Sequence, residues 1–512
     1  MDDVEQLKRD VDAGQIGVGR LVELVVTLQR QLQAANGKLE AANGQLQTAN
    51  ARIVELEQKL GGSPTAKVDE PFSLRAEELR QEKRGKKKRK PKKKGQRGRV
   101  TTAKKIAQAA RTEEVLPEGF AKSECHLSHT RPVWRLEDGR AVLIAYQIYR
   151  GPNSRYGKIT GVLGRSEFGM EVVVELAHLI YIMGLSFDKA CQVLSFFHNL
   201  RLRKSQADAL LHQLARHWED EFETLCTLLA YSSVVHADET GWSLHSVWAF
   251  LSEKARVVLY GVHKDAETLK QLLDPATFGG ILISDDAAVY ANFTRAQKCW
   301  AHLLRKAIKL TLQDPTNAAY RAFTDRLLEI YQEACRVQSD GRLGDAGRSA
   351  KIAALDDDIL ELCGAMWCAD LAPLEGLEND YRLLNNEVMR LMLAKQLFSF
   401  VAAEPVTKPN GETQPVAGTN NEAERTLRGP GQARDTGRTN KTLVGARRQS
   451  ILVSVLESLR LYLPTFTMSS VTAEINRWVK AGRSCFTDLL RTLNLSLPKT
   501  PVLDRVYPDP SD

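Results

Sequence analysis

Four short runs of β-branched and apolar residues lie between residues 231 and 286, and their order constrains the fold more than any other feature of the chain. The first three, at 231–236, 247–252 and 255–262, predict a meander of strands. A helical segment at 264–273 then precedes the fourth run, at 281–284. Because this order allows the fourth strand to lie beside the first, it predicts an α/β domain with a mixed sheet.

Two of these strands are followed by a carboxylate. Asp238 comes after the first run and Asp285 after the fourth. If the two strands are neighbours, the two carboxylates lie side by side and repel each other unless a cation joins them. Carboxylate oxygens suit hard ions such as Mg²⁺ or Mn²⁺, which keep water and phosphate oxygens as further ligands.

A third acidic candidate, Glu424, lies in a segment with helical spacing at 420–428. Asn420 or Asn421 is suited to begin that helix as its N-cap. A third carboxylate would hold a second ion about 3.5–4 Å from the first, which is the arrangement used for displacement at phosphorus. Glu422, two residues earlier, is an open alternative to Glu424.

Four blocks resemble the transposases of the insertion sequence 66 family, whose catalytic domain is a ribonuclease-H-like DDE fold. They are Ala-Asp-Glu-Thr at 237–240, Ser-Asp-Asp-Ala-Ala-Val-Tyr at 284–290, Cys-Trp-Ala-His at 299–302 and Asn-Asn-Glu-Ala-Glu-Arg-Thr-Leu-Arg at 420–428. The resemblance extends over about residues 166–465. It implies that Asp238, Asp285 and Glu424 are a catalytic, metal-binding triad for two Mg²⁺ or Mn²⁺ ions.

The resemblance therefore implies a DNA transposase that cleaves DNA and transfers strands at the ends of its own insertion sequence. Two other functions remain open from the sequence. One is a catalytically inactive DNA-binding protein, and the other is a metal-dependent nuclease of the same fold. The family also implies a bacterial protein, which we expect in the cytoplasm and on the nucleoid.

A heptad repeat in residues 20–60 predicts a coiled coil within an N-terminal segment, 1–62. Apolar residues recur every seven positions at Val25, Leu32, Leu39, Leu46, Ile53 and Leu60. Such a seam is typical of paired helices, so we expect homo-oligomers through this segment. The alternative is a single amphipathic helix that folds back on the rest of the chain.

A strongly basic segment lies in the linker predicted for residues 63–111. Residues 80–99 contain thirteen lysines and arginines and one glutamate. So many like charges predict an unfolded segment that binds a polyanion, and DNA is the partner we expect. The candidate DNA-binding residues are Lys87, Lys88, Arg89 and Lys92. A solubilising linker is the alternative.

Arginines also follow Glu424 closely. Arg425, Arg428, Arg434 and Arg438 predict a phosphate-binding surface beside the catalytic helix, because arginine binds phosphate with two donors. Further basic residues follow at Lys441, Arg447 and Arg448. A solvated basic loop is the alternative.

The remaining chain divides by pattern. Residues 112–165 predict a small β-containing module that resembles a degenerate zinc finger. Residues 166–230 predict helices, with Ser186 as an N-cap and continuous helical periodicity over 205–228, and either a DNA-binding or an ordinary helical domain. Residues 231–462 form the predicted catalytic domain, with a helical insertion at about 303–405 and helical periodicity at 318–336, 346–362 and 383–400. Residues 463–512 predict C-terminal helices.

The cysteines favour neither disulfides nor a zinc site. Eight cysteines are mostly far apart, which is typical of a reducing compartment. Cys125 with His126 and His129, and Cys299 with His302, each lack a second ligand pair at the usual spacing, so we expect no zinc at either. The acidic N-terminus does not resemble a secretory signal, and no apolar run reaches the length of a membrane span.

Overall fold

The computed structural model describes residues 100–367 and 376–508. The predicted coiled coil at 1–62, most of the basic linker, and the candidate residues Lys87, Lys88, Arg89 and Lys92 lie outside the described residues. Within the described ranges, none of the helices is both long enough and apolar enough to cross a bilayer.

A three-stranded sheet follows the first short helix, α1 (Thr102–Ala107). Its strands are β1 (Arg111–Val115), β2 (His126–Glu137) and β3 (Arg140–Arg150), in the order β1-β3-β2. The β2–β3 hairpin turns through Asp138 and Gly139, both with positive φ, which an Asp-Gly pair adopts readily. Strands β2 and β3 lie within residues 112–165, where the sequence predicts β-structure.

Four helices come next. They are α2 (Met170–Ala177), which continues into a π-helical turn (His178–Ile182), α3 (Phe187–His198), α4 (Lys204–His217) and α5 (Glu219–Ala230). Ser186 caps α3 as predicted, since its hydroxyl accepts a hydrogen bond from the amide of Lys189. The single helical period predicted over 205–228 is wrong in one respect: two helices meet at Trp218. This side chain is fully buried, so the apolar pattern runs across the break and hides it.

A five-stranded sheet forms the centre of the larger α/β region, with the strand order β6-β5-β4-β7-β8. The elements are β4 (Val234–Gly241), β5 (Ser246–Ser252), β6 (Arg256–Val262), α6 (Ala266–Leu272), β7 (Ile281–Ser284) and β8 (Ala296–Lys298). Strands β4, β5 and β6 are antiparallel, whereas β4 and β7 are parallel neighbours. The predicted meander, and the fourth strand beside the first, are confirmed.

Helices inserted after β8 build a second core. They are α7 (Trp300–Gln313), α8 (Ala318–Ser339), α9 (Asp345–Cys363), α10 (Gly376–Leu393) and α11 (Ser399–Ala402). The sheet separates the two cores, because Val235 and Leu282 pack into one while Val234 and Ile283 pack into the other. The short hairpin β9 (Val406–Thr407) and β10 (Thr413–Gln414) closes the insertion.

The helix predicted over 383–400 is interrupted between α10 and α11. Lys395 has a positive φ there, and the backbone of this segment is bonded to β8 instead of continuing the helix. The amide of Lys298 donates to the carbonyl of Gln396 at 2.8 Å, and the Gln297 side chain donates to the carbonyl of Leu397 at 2.8 Å. These tertiary hydrogen bonds explain why the helix is interrupted here, and the local apolar pattern gives no sign of them.

The C-terminal part is helical, as predicted. Its helices are α12 (Asn421–Asp435), α13 (Leu443–Tyr462), α14 (Met468–Ala481), α15 (Cys485–Thr492) and α16 (Val502–Val506). Helix α13 begins at Leu443, and the Thr442 hydroxyl caps it by accepting a hydrogen bond from the amide of Gly445.

Helix α13 covers the free edge of the sheet with a row of serines. The hydroxyls of Ser450, Ser454 and Ser458 each accept a hydrogen bond at 2.9 Å from an amide of β6, those of Tyr260, Val258 and Arg256. The serines are four residues apart in α13, a spacing of about 6 Å along the helix. The amides are two residues apart in β6, a spacing of about 6.7 Å along the strand, so each serine can lie opposite one amide. The row satisfies an edge that would otherwise offer unpaired donors to another chain.

Candidate active site

The register of β4 and β7 brings the two predicted aspartates together. His236 is opposite Ile283 in this parallel pair. Asp238 and Asp285 each follow two residues later, so both extend from the same face of the sheet at neighbouring positions. One carboxylate oxygen of Asp285 accepts a hydrogen bond from the amide of Ala287 at 3.0 Å, which fixes the turn after β7.

Helix α12 carries Glu424 in its first turn, and a buried asparagine fixes where the helix begins. Asn420 is the N-cap, as predicted, but its side chain does not bond its own helix. Its Nδ2 donates to the carbonyl of Ala237 at 2.8 Å, and its backbone amide donates to Sγ of Cys299 at 3.1 Å. The helix start is therefore tied to the residue just before Asp238.

The pKa of Asp238 responds to its acidic neighbours. It is raised to about 7 by burial first and then by the negative charges of Glu239, Asp285 and Glu424, against one backbone hydrogen bond that lowers it. A cation beside such an aspartate would stabilise its carboxylate form. The donor set consists of carboxylate oxygens, so it fits a hard divalent ion.

Two basic side chains that the sequence reasoning did not select contact this acidic group. Nη2 of Arg305 lies 2.8 Å from Oε1 of Glu424, and Nζ of Lys264 lies 2.6 Å from Oε1 of Glu239. Glu239 also accepts a hydrogen bond from the hydroxyl of Tyr290. Arg305 comes three residues after His302 in a helix, so the third sequence block, at 299–302, lies close to it. No pattern in the sequence pointed to Lys264.

A buried lysine supports the turn that carries Asp285. Nζ of Lys298 donates to the carbonyl of Asp285 at 2.9 Å and to the hydroxyl of Ser284 at 3.2 Å. Burial lowers the pKa of Lys298, while the nearby charges of Asp286 and Asp285 act in the opposite direction. The lysine thus places a donor beneath the acidic group without occupying the Asp285 carboxylate.

Glu422 and Glu424 face different partners. Oε1 of Glu422 lies 2.5 Å from Nη2 of Arg256, on β6, whereas Glu424 contacts Arg305 and lies near Asp238. Two residues along a helix turn the side chain by about 200°, which separates the two carboxylates. Of the two alternatives left open by the sequence, Glu424 is the one whose charge raises the pKa of Asp238.

Cys299 and His302 gain a third potential ligand from α12. Sγ of Cys299, a ring nitrogen of His302 and a carboxylate oxygen of Glu424 all lie within 4.8 Å of one another. Burial raises the pKa of the Cys299 thiol, whereas hydrogen bonds from backbone amides to the sulfur act to lower it. Cys125, His126 and His129 form no such group within the described residues. The expectation that neither set binds zinc stays a prediction.

The four candidate arginines after Glu424 divide into two pairs. Arg425 and Arg428 are exposed, and neither has a hydrogen-bond or ion-pair partner in the described part of the chain. Arg434 donates to the carbonyl of Gly241 at 3.3 Å, and Arg438 donates to the carbonyl of Gly184 at 2.9 Å. The first pair is free to bind phosphate, and the second pair also holds neighbouring loops.

One basic residue of the same stretch has a structural role. Arg448 is buried, and its Nη1 lies 2.6 Å from the Asp208 carboxylate of α4. Its guanidinium also lies over the rings of Tyr181 and Phe187. Arg448 therefore joins α13 to the helical region and is not available to DNA.

Comparison with known proteins identifies one family. Residues 165–393 match the family model described as Transposase IS66 family. The match includes Asp238 and Asp285 and ends before Glu424. No curated protein matches the chain.

Proposed function

Since residues 165–393 belong to the transposase IS66 family, we propose that this protein cuts DNA at the ends of its own mobile element and joins those ends to a target. The observations that support the proposal are that Asp238 and Asp285 follow neighbouring parallel strands, and that the charge of Glu424, from a distant part of the chain, raises the pKa of Asp238. We further propose that this is a ribonuclease-H-like DDE domain, a proposal that the mixed sheet of order β6-β5-β4-β7-β8 supports.

In the proposed mechanism these three carboxylates would hold two Mg²⁺ or Mn²⁺ ions. Such ions activate an attacking oxygen and stabilise the oxygen that leaves phosphorus. The surrounding residues would position these carboxylate ligands. Asn420 fixes the start of α12 against β4, and Lys298 fixes the turn after β7, so the carboxylates are positioned before DNA binds.

The DNA itself would be held by cations on both sides of this site. Arg425 and Arg428 follow Glu424 on α12 by one and four residues. Both are exposed, and neither has an acidic partner among the described residues. We propose that they bind backbone phosphates and that Arg434 and Arg438 extend this surface. The helical region 166–230 and the basic segment with Lys87, Lys88, Arg89 and Lys92 are proposed as further DNA contacts.

Joining two element ends requires at least two protomers. We propose that residues 20–60 associate as a coiled coil and supply this assembly.

The test is strand transfer by the full chain on DNA that carries an element end, with Mg²⁺ as the only divalent ion. Asp285→Asn is expected to abolish strand joining while DNA affinity is retained. Asp286→Asn is the matched control, because Asp286 is the next residue but pairs with Arg390. It is expected to keep most of the activity.

The products decide between the proposal and its alternatives. Joined strands support a transposase. Nicked DNA without joining would identify a nuclease of the same fold, and DNA binding without any cleavage would identify an inactive DNA-binding protein. Full joining by Asp285→Asn would remove that residue from the mechanism.

A further inference from the structure

Arg305 contacts one of the two carboxylate oxygens of Glu424, a proposed ion ligand. Its Nη2 lies 2.8 Å from Oε1 of Glu424, and the same nitrogen lies 3.2 Å from Nδ1 of His302. His302 Nδ1 is itself 3.6 Å from that oxygen. The guanidinium therefore lies where the carboxylate of Glu424 and the ring of His302 meet.

The other cations around the site have partners outside the proposed triad. Lys306 pairs with Glu387, Arg390 pairs with Asp286, and Lys264 pairs with Glu239. Among these four cations, Arg305 is the one whose acid is a proposed ion ligand. A guanidinium and a divalent ion on the same oxygen would repel each other strongly. An ion that binds Glu424 through Oε1 would therefore have to displace Arg305.

Arg305 is free to move when Glu424 takes another partner. Its side chain is 55% exposed, and its other contacts, with the ring of His302 and from Nε to the carbonyl of Ala301 at 3.1 Å, lie within its own helix. Arginine is also the side chain best suited to a phosphodiester, because its planar fork matches two phosphate oxygens.

We propose that Arg305 is an exchangeable counter-charge, which holds Glu424 in the ion-free protein and moves to a DNA phosphate when Glu424 binds its ion. This inference rests on the proposed function, since it takes Glu424 as an ion ligand. It makes Arg305 a positioning residue that couples ion binding to DNA binding. Coupling of this kind is reciprocal: the ion strengthens DNA binding by the factor by which DNA strengthens ion binding.

The first experiment is calorimetric titration of Mn²⁺ into the full chain without DNA. Arg305→Ala removes the competing cation, so its Mn²⁺ affinity is expected to rise about two- to fivefold, as loss of a partly exposed ion pair implies. Arg336→Ala is the matched control, because it removes an exposed Arg–Glu pair on α8. Its Mn²⁺ affinity is expected to equal that of the unaltered protein.

The second experiment measures the affinity of the full chain for a short DNA duplex, with Ca²⁺ and without divalent ions. Without ions, Arg305→Ala is expected to bind DNA like the unaltered protein, since Arg305 is then engaged by Glu424. With Ca²⁺, the variant is expected to bind more weakly, and its salt dependence is expected to be shallower by about 0.9, the value of one lost phosphate contact.

The outcomes separate this inference from the function on which it rests. If the unaltered protein binds Mn²⁺ and Arg305→Ala neither tightens that binding nor loses the Ca²⁺-dependent part of DNA affinity, the exchange is overturned while the proposed function stands. If neither protein binds Mn²⁺, both fail. A loss of DNA affinity by Arg305→Ala that is equal with and without Ca²⁺ would make Arg305 a simple DNA contact and would also overturn the exchange.

Discussion

Two parts of the same sheet treat polar groups in opposite ways. At the ends of β4 and β7, carboxylates from Asp238, Asp285 and Glu424 approach one another, and their mutual repulsion together with burial raises the pKa of Asp238 to about 7. At the edge formed by β6, the hydroxyls of α13 meet backbone amides one to one. In the acidic region, negative charges lie near one another. At the β6 edge, each of these three backbone amides has a serine hydroxyl as its acceptor.

The difference separates groups kept for chemistry from groups kept for stability. Buried like charges destabilise the folded state until a cation arrives, so evolution retains them where the cation is useful. A paired hydroxyl and amide contribute modestly to stability, but either one left alone in the core is costly. Removing a carboxylate from the first region should therefore abolish activity and increase the stability of the folded state. Removing a hydroxyl from the second region should lower that stability and leave activity unchanged.

The largest expected effect comes from the two glutamates of α12. Glu424→Gln is expected to lower the rate of strand transfer by on the order of a thousandfold or more, since it removes a proposed ion ligand worth several kcal/mol in the transition state. Glu422→Gln is expected to change that rate by less than about fivefold, because it loses only a partly exposed ion pair with Arg256. Single-turnover strand transfer measures both, and equal losses in the two variants would show that their carboxylates share one role.

The next effect concerns pH. The pKa of Asp238 is about 7 in the folded protein against an ordinary value of 3.8, so the folded state binds the extra proton between these two values. The contribution of this group to stability is therefore present at low pH, declines as pH rises from about 4 to about 7, and is constant above that. Relative to Asp238→Asn, the unaltered protein should lose up to about 4 kcal/mol of unfolding free energy across this range.

Chemical denaturation at a series of pH values without divalent ions measures this difference. Saturating Mg²⁺ should reverse it above pH 7, because an ion that binds only the folded carboxylates stabilises the protein. If Asp238→Asn and the unaltered protein show the same pH dependence, Asp238 does not experience the repulsion that distinguishes the site from the sheet edge.

The sequence predicted the strands that lead into the acidic region, because those strands are marked by short-range patterns. The order of β-type runs, each bounded by turn residues, was enough to predict that β4 and β7 are neighbours, and with it the approach of Asp238 to Asp285. Glu424 could be placed because its helix begins at an asparagine after a loop rich in Gly and Pro.

What the sequence could not supply are contacts between distant segments. Arg305 and Lys264 are ordinary surface cations by local pattern, and only the fold brings them to Glu424 and Glu239. The break at Trp218 was missed because a buried aromatic residue continues the helical period. The three serines of α13 interrupt an apolar helix for a reason that lies in β6, about 200 residues earlier.

The smallest expected effect tests the paired edge directly. Ser454→Ala leaves the buried amide of Val258 without its acceptor, so the unfolding free energy is expected to fall by about 1–3 kcal/mol. Ser339→Ala is the matched control, since that helical serine is exposed and its hydroxyl donates to the carbonyl of Cys335 in its own helix, and a change within about 0.5 kcal/mol is expected. Denaturant unfolding of both variants at one pH gives the comparison. Because Ser454 lies on the far edge of the sheet from β7, strand transfer by the folded Ser454→Ala protein should be unchanged, and a large loss of activity would mean that the edge and the acidic region are mechanically coupled.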